Sequence, residues 1–382
     1  MAFPSVCAAC LKTQCGICAA SLVGEPERGA GKMSARHMPS LDGIRAISFL
    51  LVFFSHAGLG SLVPGGIGVT IFFFLSGFLI TTLMRVEFDK NGSVNFRHFW
   101  LRRAFRILPP FYLVLLCATL ASLAFDPPGT LYGPAVAAQL LHVTNYWIIW
   151  HGYTGQPAGT GVYWSLAVEE HFYLIFPFLY VGMRKLQLSP RGQAKVLWGI
   201  CALVLLWRCV LVFAWHVASD RTYMGTDTRF DSILFGCALA VWNNPALDAP
   251  LLNERRWKYL VVPAAVAVLF GCLLYRAPAF RESVRYTLQG LALTLIFIAA
   301  IRFSHWLPFR FLNWRPIAFM GVLSYSLYLM HLALLFAMER NFPTAPPLVQ
   351  GLLALGVALI LAWIMYEAIE KPAARWRRRL TD

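Results

Sequence analysis

The chain has 382 residues, of which 58% are hydrophobic and only 13% charged, with a formal net charge of +15 and a mean hydropathy of +0.60. Soluble domains carry about 25% charged residues. At half that, the polar side chains are too few to coat a folded chain in water, so soluble multidomain, disordered, collagen-like, coiled-coil and disulfide-scaffold classes are excluded. The basic residues form no continuous face. They sit in short loops between apolar runs, which reads as membrane orientation and not as nucleic-acid binding. The expected fold class is all-α: a polytopic integral membrane protein whose solvent is the lipid bilayer.

Residues 1–38 contain no apolar run of signal-peptide length. Cys7, Cys10, Cys15 and Cys18 form C-x2-C-x4-C-x2-C, but four intervening residues make a cramped zinc loop, and no metal is expected. The segment reads as a disordered tail, with Met33 as an alternative natural start. A membrane domain is expected over 39–375 and a basic tail over 376–382. A spanning helix needs about 20 mostly apolar residues. Ten candidates are present: 44–62, 66–84, 105–124, 165–183, 196–217, 230–244, 258–275, 286–302, 317–338 and 348–369. The run at 230–244 is short enough to be tilted or partly interfacial. A weaker segment, 136–150, reads as one interfacial or re-entrant helix. With the N-terminus in the cytoplasm, 26 of the 33 Lys and Arg lie inside and 6 outside, with none in the 125–163 loop. Both termini are therefore predicted to be cytoplasmic. The five remaining cysteines lie in spans and read as small core residues.

An ionisable side chain at mid-membrane costs at least about 2.5–3.5 kcal/mol, so such residues are functional candidates. In the first span, Arg45 and His56 are eleven residues apart, nearly three whole turns. Both point to one face, about 16 Å apart along the axis. Asp42 is on that face and can pair with Arg45. This stripe predicts a charge pair at the cytosolic mouth and an imidazole near mid-bilayer. Arg103 and Arg106 are i,i+3 at the cytosolic boundary, where guanidinium forks suit phosphate oxygens as well as simple anchoring. The fourth span opens Trp164-Ser165-Leu-Ala-Val-Glu169-Glu170-His171. Glu169 is the functional candidate there, while Glu170 and His171 are read as facing the interface. Ser324, Tyr328 and His331 share one face of the ninth span, as a site or as interhelical glue. Arg229 with Asp231, and Glu367 or Glu370 with Lys371, read as local ion pairs.

Taken in order, SLDGIRA with Arg45-x10-His56, GGIGVTIFFFLSGFLIT, RRAFRILPPFY, YWSLAVEEHFYLIFP, DTRFDSILFG, SYSLYLMH and IEKP resemble the acyltransferase-3 family of integral membrane acyltransferases over roughly 40–375. The resemblance implies an enzyme of the bacterial inner membrane with no permanently bound cofactor. It would move an acyl group, often acetyl, from acyl-CoA to a hydroxyl of a sugar, cell-envelope glycan or lipid-linked saccharide. His56 becomes the catalytic residue and Glu169 its acidic partner or an acceptor-orienting group. Arg45, Arg103 and Arg106 become the donor-binding residues. Trp164, Ser165 and Tyr328 are candidates to stabilise an oxyanion, with Asp42 and His331 in support. A base role for His56 and a transient acyl-histidine both remain open. The alternative is a proton-coupled transporter or exporter of a small envelope precursor, in which the buried His and Glu relay protons.

Overall fold

The computed structural model describes residue 38 and residues 40–381. The Cys7–Cys18 cluster and the alternative start at Met33 lie outside the described residues. Among these there is no strand, only one isolated bridge between Leu131 and Gly155. All ten expected spans fall on helices: α1 (Leu41–Leu59), α2 (Gly65–Asn91), α3 (Phe96–Phe125), α4 (Gly161–Lys185), α5 (Pro190–Ala214), α6 (Thr226–Val241), α7 (Glu254–Leu274), α8 (Arg285–Arg302), α9 (Arg315–Asn341) and α10 (Pro347–Met365). Beyond a π turn at Tyr366–Glu370, α10 continues into the basic α11 (Lys371–Thr381). This is the architecture of a multi-pass membrane protein.

Two spans depart from a simple crossing. At 16 residues, α6 is short, and fourteen of its residues are buried. A helix sheathed by protein need not match the bilayer thickness. After α8, the helical segment Leu307–Asn313 turns away by 84°. The expected single helix at 136–150 is instead two eight-residue helices, Gly133–Leu140 and Thr144–His151. They break where His142 adopts a left-handed φ of 54°.

The core is built on α6, which packs against α2 and α5, and on α1, which packs against α9. Small residues set the α2–α6 crossing. A Cβ on Gly236 would collide with the Phe74 carbonyl, and one on Gly77 with that of Ile233, so the two backbones touch. Across α5 and α6, Arg208 donates Nη1 to Asp231 Oδ1 at 2.8 Å and Nη2 to Oδ2 at 2.7 Å, with both side chains fully buried. The carbonyls of Thr228 and Ser283 and the Thr287 hydroxyl take the remaining guanidinium hydrogens. This corrects the expected Arg229–Asp231 pair: residues two apart on a helix diverge, and Asp231 turns to α5. Glu367 does pair with Lys371, at 2.6 Å, whereas Glu370 accepts from Ser326.

Ion pairs stitch the two ends of the bundle. Arg45–Asp42, Arg85–Asp248, Arg102–Glu87 and Arg184–Asp89 lie at the end that carries the start of α1 and the basic α11. Arg221–Asp227 and Arg340–Asp126 lie at the opposite end. Removing one partner of a buried pair strands the other charge. Asp231→Ala should therefore lose about 3–5 kcal/mol, seen as a lower melting temperature in detergent. The double variant Arg208→Met with Asp231→Leu should recover most of the loss.

Candidate active site

Two cavities enter the bundle from opposite ends and meet at a waist. The inner one is lined by Arg45, Arg103, Arg106, Glu169, Glu170 and Tyr173, among others. The outer one is lined by His56, Trp164, Tyr223 and the loop Tyr153–Gly159. Val69 and Tyr328 line both. The inner cavity encloses about 100 Å³ and is a slot; the outer encloses about 630 Å³, within the range of sites that hold a small ligand. The eleven-residue spacing thus does what helical periodicity demands: Arg45 and His56 share a face of α1 and serve one cavity each.

His56 is not near the middle of its span. It sits in the π turn Ser55–Leu59 that ends α1, where Ala57 and Gly58 leave helical geometry and Gly58 takes φ 87°. Its ring is exposed to the outer cavity.

The partner of His56 differs from the expectation. Its Nδ1 lies 3.0 Å from His331 Nε2, and the two rings stack at 21° with centroids 5.2 Å apart. The other nitrogen of His331, Nδ1, lies 2.7 Å from the Tyr328 carbonyl oxygen. A carbonyl only accepts, so His331 Nδ1 carries a hydrogen. In a neutral ring, His331 Nε2 then holds a lone pair and accepts from His56 Nδ1. The chain of bonds leaves His56 Nε2 as the lone-pair nitrogen of a ring that lines the outer cavity.

Glu169 does not reach this pair. It lies in the inner cavity, where Ser76 donates to Oε1 at 2.7 Å and Tyr173 to Oε2 at 3.3 Å. The expected role as acidic partner of His56 is therefore not what the geometry brings together. Glu170 lines the inner cavity as well, and His171 Nδ1 meets the Thr226 hydroxyl at 2.8 Å, so neither faces the interface as read from the sequence. The three donor-site candidates do converge. Arg45 is held by Asp42 at 2.6 Å, Arg103 lies 5.7 Å from the Tyr173 ring centre, and Arg106 is exposed at the mouth. Ser165 and Tyr328 meet at the waist, with hydroxyls 2.7 Å apart beside the Val162 carbonyl. Trp164 packs on Tyr223 at 4.8 Å, in the wall of the outer cavity.

Ser76 and Tyr173 were not singled out from the sequence. Both carried a signal: Ser76 interrupts the apolar run of α2, and Tyr173 is one turn beyond Glu169. Tyr223 carried none, since it sits in a short helix, Ser219–Met224, within an apparent loop.

The family follows from comparison. The acyltransferase-3 profile, described as an acyltransferase domain, matches residues 38–367, and the chain belongs to that family. It is 30% identical over 355 residues to the peptidoglycan O-acetyltransferase OatA of Listeria monocytogenes, covering 89% of this chain and 56% of that protein. It is 33% identical over 355 residues to the putative peptidoglycan O-acetyltransferase YrhL of Bacillus subtilis, covering 88% and 55%. A putative O-acetyltransferase of Staphylococcus aureus is 29% identical over 367 residues, covering 90% and 59%. The chain thus spans little more than half the length of these curated relatives. No solved structure matches the chain.

The hydrogen-bond chain makes a direct prediction. In nitrogen NMR of histidine-labelled protein at neutral pH, His56 should be the tautomer protonated at Nδ1. In His331→Ala that tautomer should lose its preference, with other histidine signals unchanged.

Proposed function

We propose that the protein is a membrane O-acetyltransferase that moves acetyl from acetyl-CoA, bound at the inner cavity, to a hydroxyl of a cell-envelope glycan in the outer cavity. The observation that carries this reading is the pair of cavities meeting at Val69 and Tyr328, with guanidiniums on one side and an oriented imidazole on the other. The names of the relatives support acetyl as the group and an envelope glycan as the acceptor. Membership in an acyltransferase family favours this over proton-coupled transport. The Lys and Arg distribution supports a cytoplasmic inner cavity with both termini on that side.

In this mechanism the polyanionic end of the donor docks on Arg45, Arg103 and Arg106, whose forks match phosphate oxygens. The slot admits the slender thioester arm and excludes the nucleotide. The arm covers the roughly 16 Å between the levels of Arg45 and His56. The acceptor hydroxyl gives its proton to His56 Nε2 as its oxygen attacks the thioester carbonyl. The carbon–sulfur bond then breaks, and the thiolate leaving group takes the proton back from His56. His331 holds His56 in the reactive tautomer and disperses the positive charge as the proton arrives. The hydroxyls of Tyr328 and Ser165, at the waist, are candidates to turn a hydrogen from the Val162 carbonyl to the developing oxyanion. In the stepwise variant, His56 Nε2 attacks the thioester carbonyl and the carbon–sulfur bond breaks to release the thiolate; the acceptor hydroxyl then attacks the acetyl carbonyl, the carbon–nitrogen bond breaks, and the hydroxyl proton goes to the thiolate. Glu169, bonded to Ser76 and Tyr173, supports the donor channel by fixing Tyr173 against Arg103.

A placed base contributes about 10²–10⁴-fold. His56→Ala should lower transfer by at least that much while folding normally, read by labelled acetyl transfer and by melting temperature. Arg103→Ala with Arg106→Ala should raise KM for acetyl-CoA with a smaller change in kcat; unchanged donor kinetics would remove their assigned role. Labelled acetyl trapped on wild type but not on His56→Ala would identify the stepwise route.

A further inference from the structure

The outer cavity has a neighbour with a different character. A third cavity, lined by Arg276, Arg281 and Arg285, shares Ser55, Gly65, Gly66 and Tyr223 with the cavity of His56. The two are adjacent, on either side of the residue that precedes His56.

Charge at this end of the bundle is unusual. Arg is depleted on the outer side of membrane proteins, and this end holds six among the described residues. Two of them, Arg221 and Arg340, are neutralised by Asp227 and Asp126. The other four have no carboxylate partner among the described residues, and three of them, Arg276, Arg281 and Arg285, line this one cavity. Arg276 donates only to the Ser61 carbonyl and Arg285 to the Tyr286 hydroxyl, while the buried Arg285 Nε has no partner. Behind the wall, Arg229 is fully buried. It donates Nη2 to Thr70, leaves Nε and Nη1 unpartnered, and lies 4.0 Å from the ring centre of Tyr286, which lines the cavity. A buried guanidinium hydrogen without an acceptor is costly, and Arg285 Nε in the lining is one; Arg276 and Arg281, exposed beside it and without a carboxylate partner, leave the cavity able to take an anion.

The remaining lining fits a sugar. Asp220 and Glu282 also face the cavity. Glu282 already accepts from Thr222 at 2.7 Å, and carboxylates of this kind accept sugar hydroxyls. Tyr223 lines both this cavity and that of His56, and Trp164 packs on it in the latter, so the two give flat apolar faces. We infer that the cavity of Arg276, Arg281 and Arg285 binds the acid group of an acidic saccharide, a carboxylate or phosphate, and so holds the acceptor with a hydroxyl at His56. This deepens, and rests on, the acetyltransferase reading by assigning the charge class of its acceptor.

The test measures binding without donor, so a failure of acetyl transfer is read separately and the two failures are distinguishable. Purified protein in phosphatidylcholine nanodiscs is titrated with glucuronate, glucose 1-phosphate and methyl glucoside by saturation-transfer NMR. At least one anionic sugar should bind about tenfold or more tighter than the neutral one, as charge-assisted hydrogen bonds require. The preferred anion identifies carboxylate or phosphate. Arg276→Gln with Arg281→Gln and Arg285→Gln should abolish the preference and leave methyl glucoside binding unchanged. Equal binding of charged and neutral sugars, or a preference that survives in the triple variant, would overturn the assignment. So would loss of the preference when phosphatidylglycerol replaces part of the bilayer, since the guanidiniums would then be holding lipid headgroups.

Discussion

The Tyr328 carbonyl can only accept a hydrogen bond, and the polarity of the outer half of the site follows from that. It fixes the hydrogen on His331 Nδ1, which makes His331 Nε2 an acceptor, which fixes the hydrogen on His56 Nδ1. The lone pair is then left on His56 Nε2. A buried carboxylate would polarise the same imidazole more strongly, but it would bring a full charge into the membrane. A carbonyl and a neutral ring orient the histidine without that desolvation cost. Because Tyr328 also supplies its hydroxyl to the waist, one helical turn of α9 sets both the tautomer of His56 and the boundary between the cavities.

That turn works only if α9 is held against α1. Gly321 lets the α9 backbone sit on the carbonyl of Asp42, whose side chain holds Arg45. The contact that clamps Arg45 at the mouth of the inner cavity therefore also sets the height of His331 relative to His56. On the far side, the bidentate Arg208–Asp231 bond fixes α6 against α5, and the glycine crossing fixes α6 against α2. Since α2 carries Val69 and Ser76, the scaffold reaches both cavities through helices that have little freedom to slide.

Much of this was legible wherever one helix carried the whole argument. The Arg45–His56 stripe and the Asp42 clamp follow from 3.6 residues per turn, and both stand. The π turn that carries His56 did not follow, because the apolar run 44–62 continues through it without a break in composition. Counting hydrophobic residues misplaces the centre of such a span. Relations between helices were the harder part. Glu169 and His56 both invited a catalytic assignment, yet nothing in either helix states that Tyr328 and Val69 stand between their cavities. Asp231 was assigned to Arg229 by proximity in sequence, when the strand-like spacing of two residues puts them on different faces of α6. The outer arginines were counted as exceptions to a membrane rule; only three dimensions bring three of them to one cavity.

The central claim is that donor and acceptor meet across the waist, each from its own side of the membrane. Oriented proteoliposomes test this most directly, with labelled acetyl-CoA confined to the face bearing Arg103 and Arg106 and a saccharide acceptor confined to the face bearing His56. The account predicts acetylated saccharide on the His56 side, none when the donor is supplied there instead, and none with His56→Ala. Product formed only when donor and acceptor share the Arg103 side would contradict it.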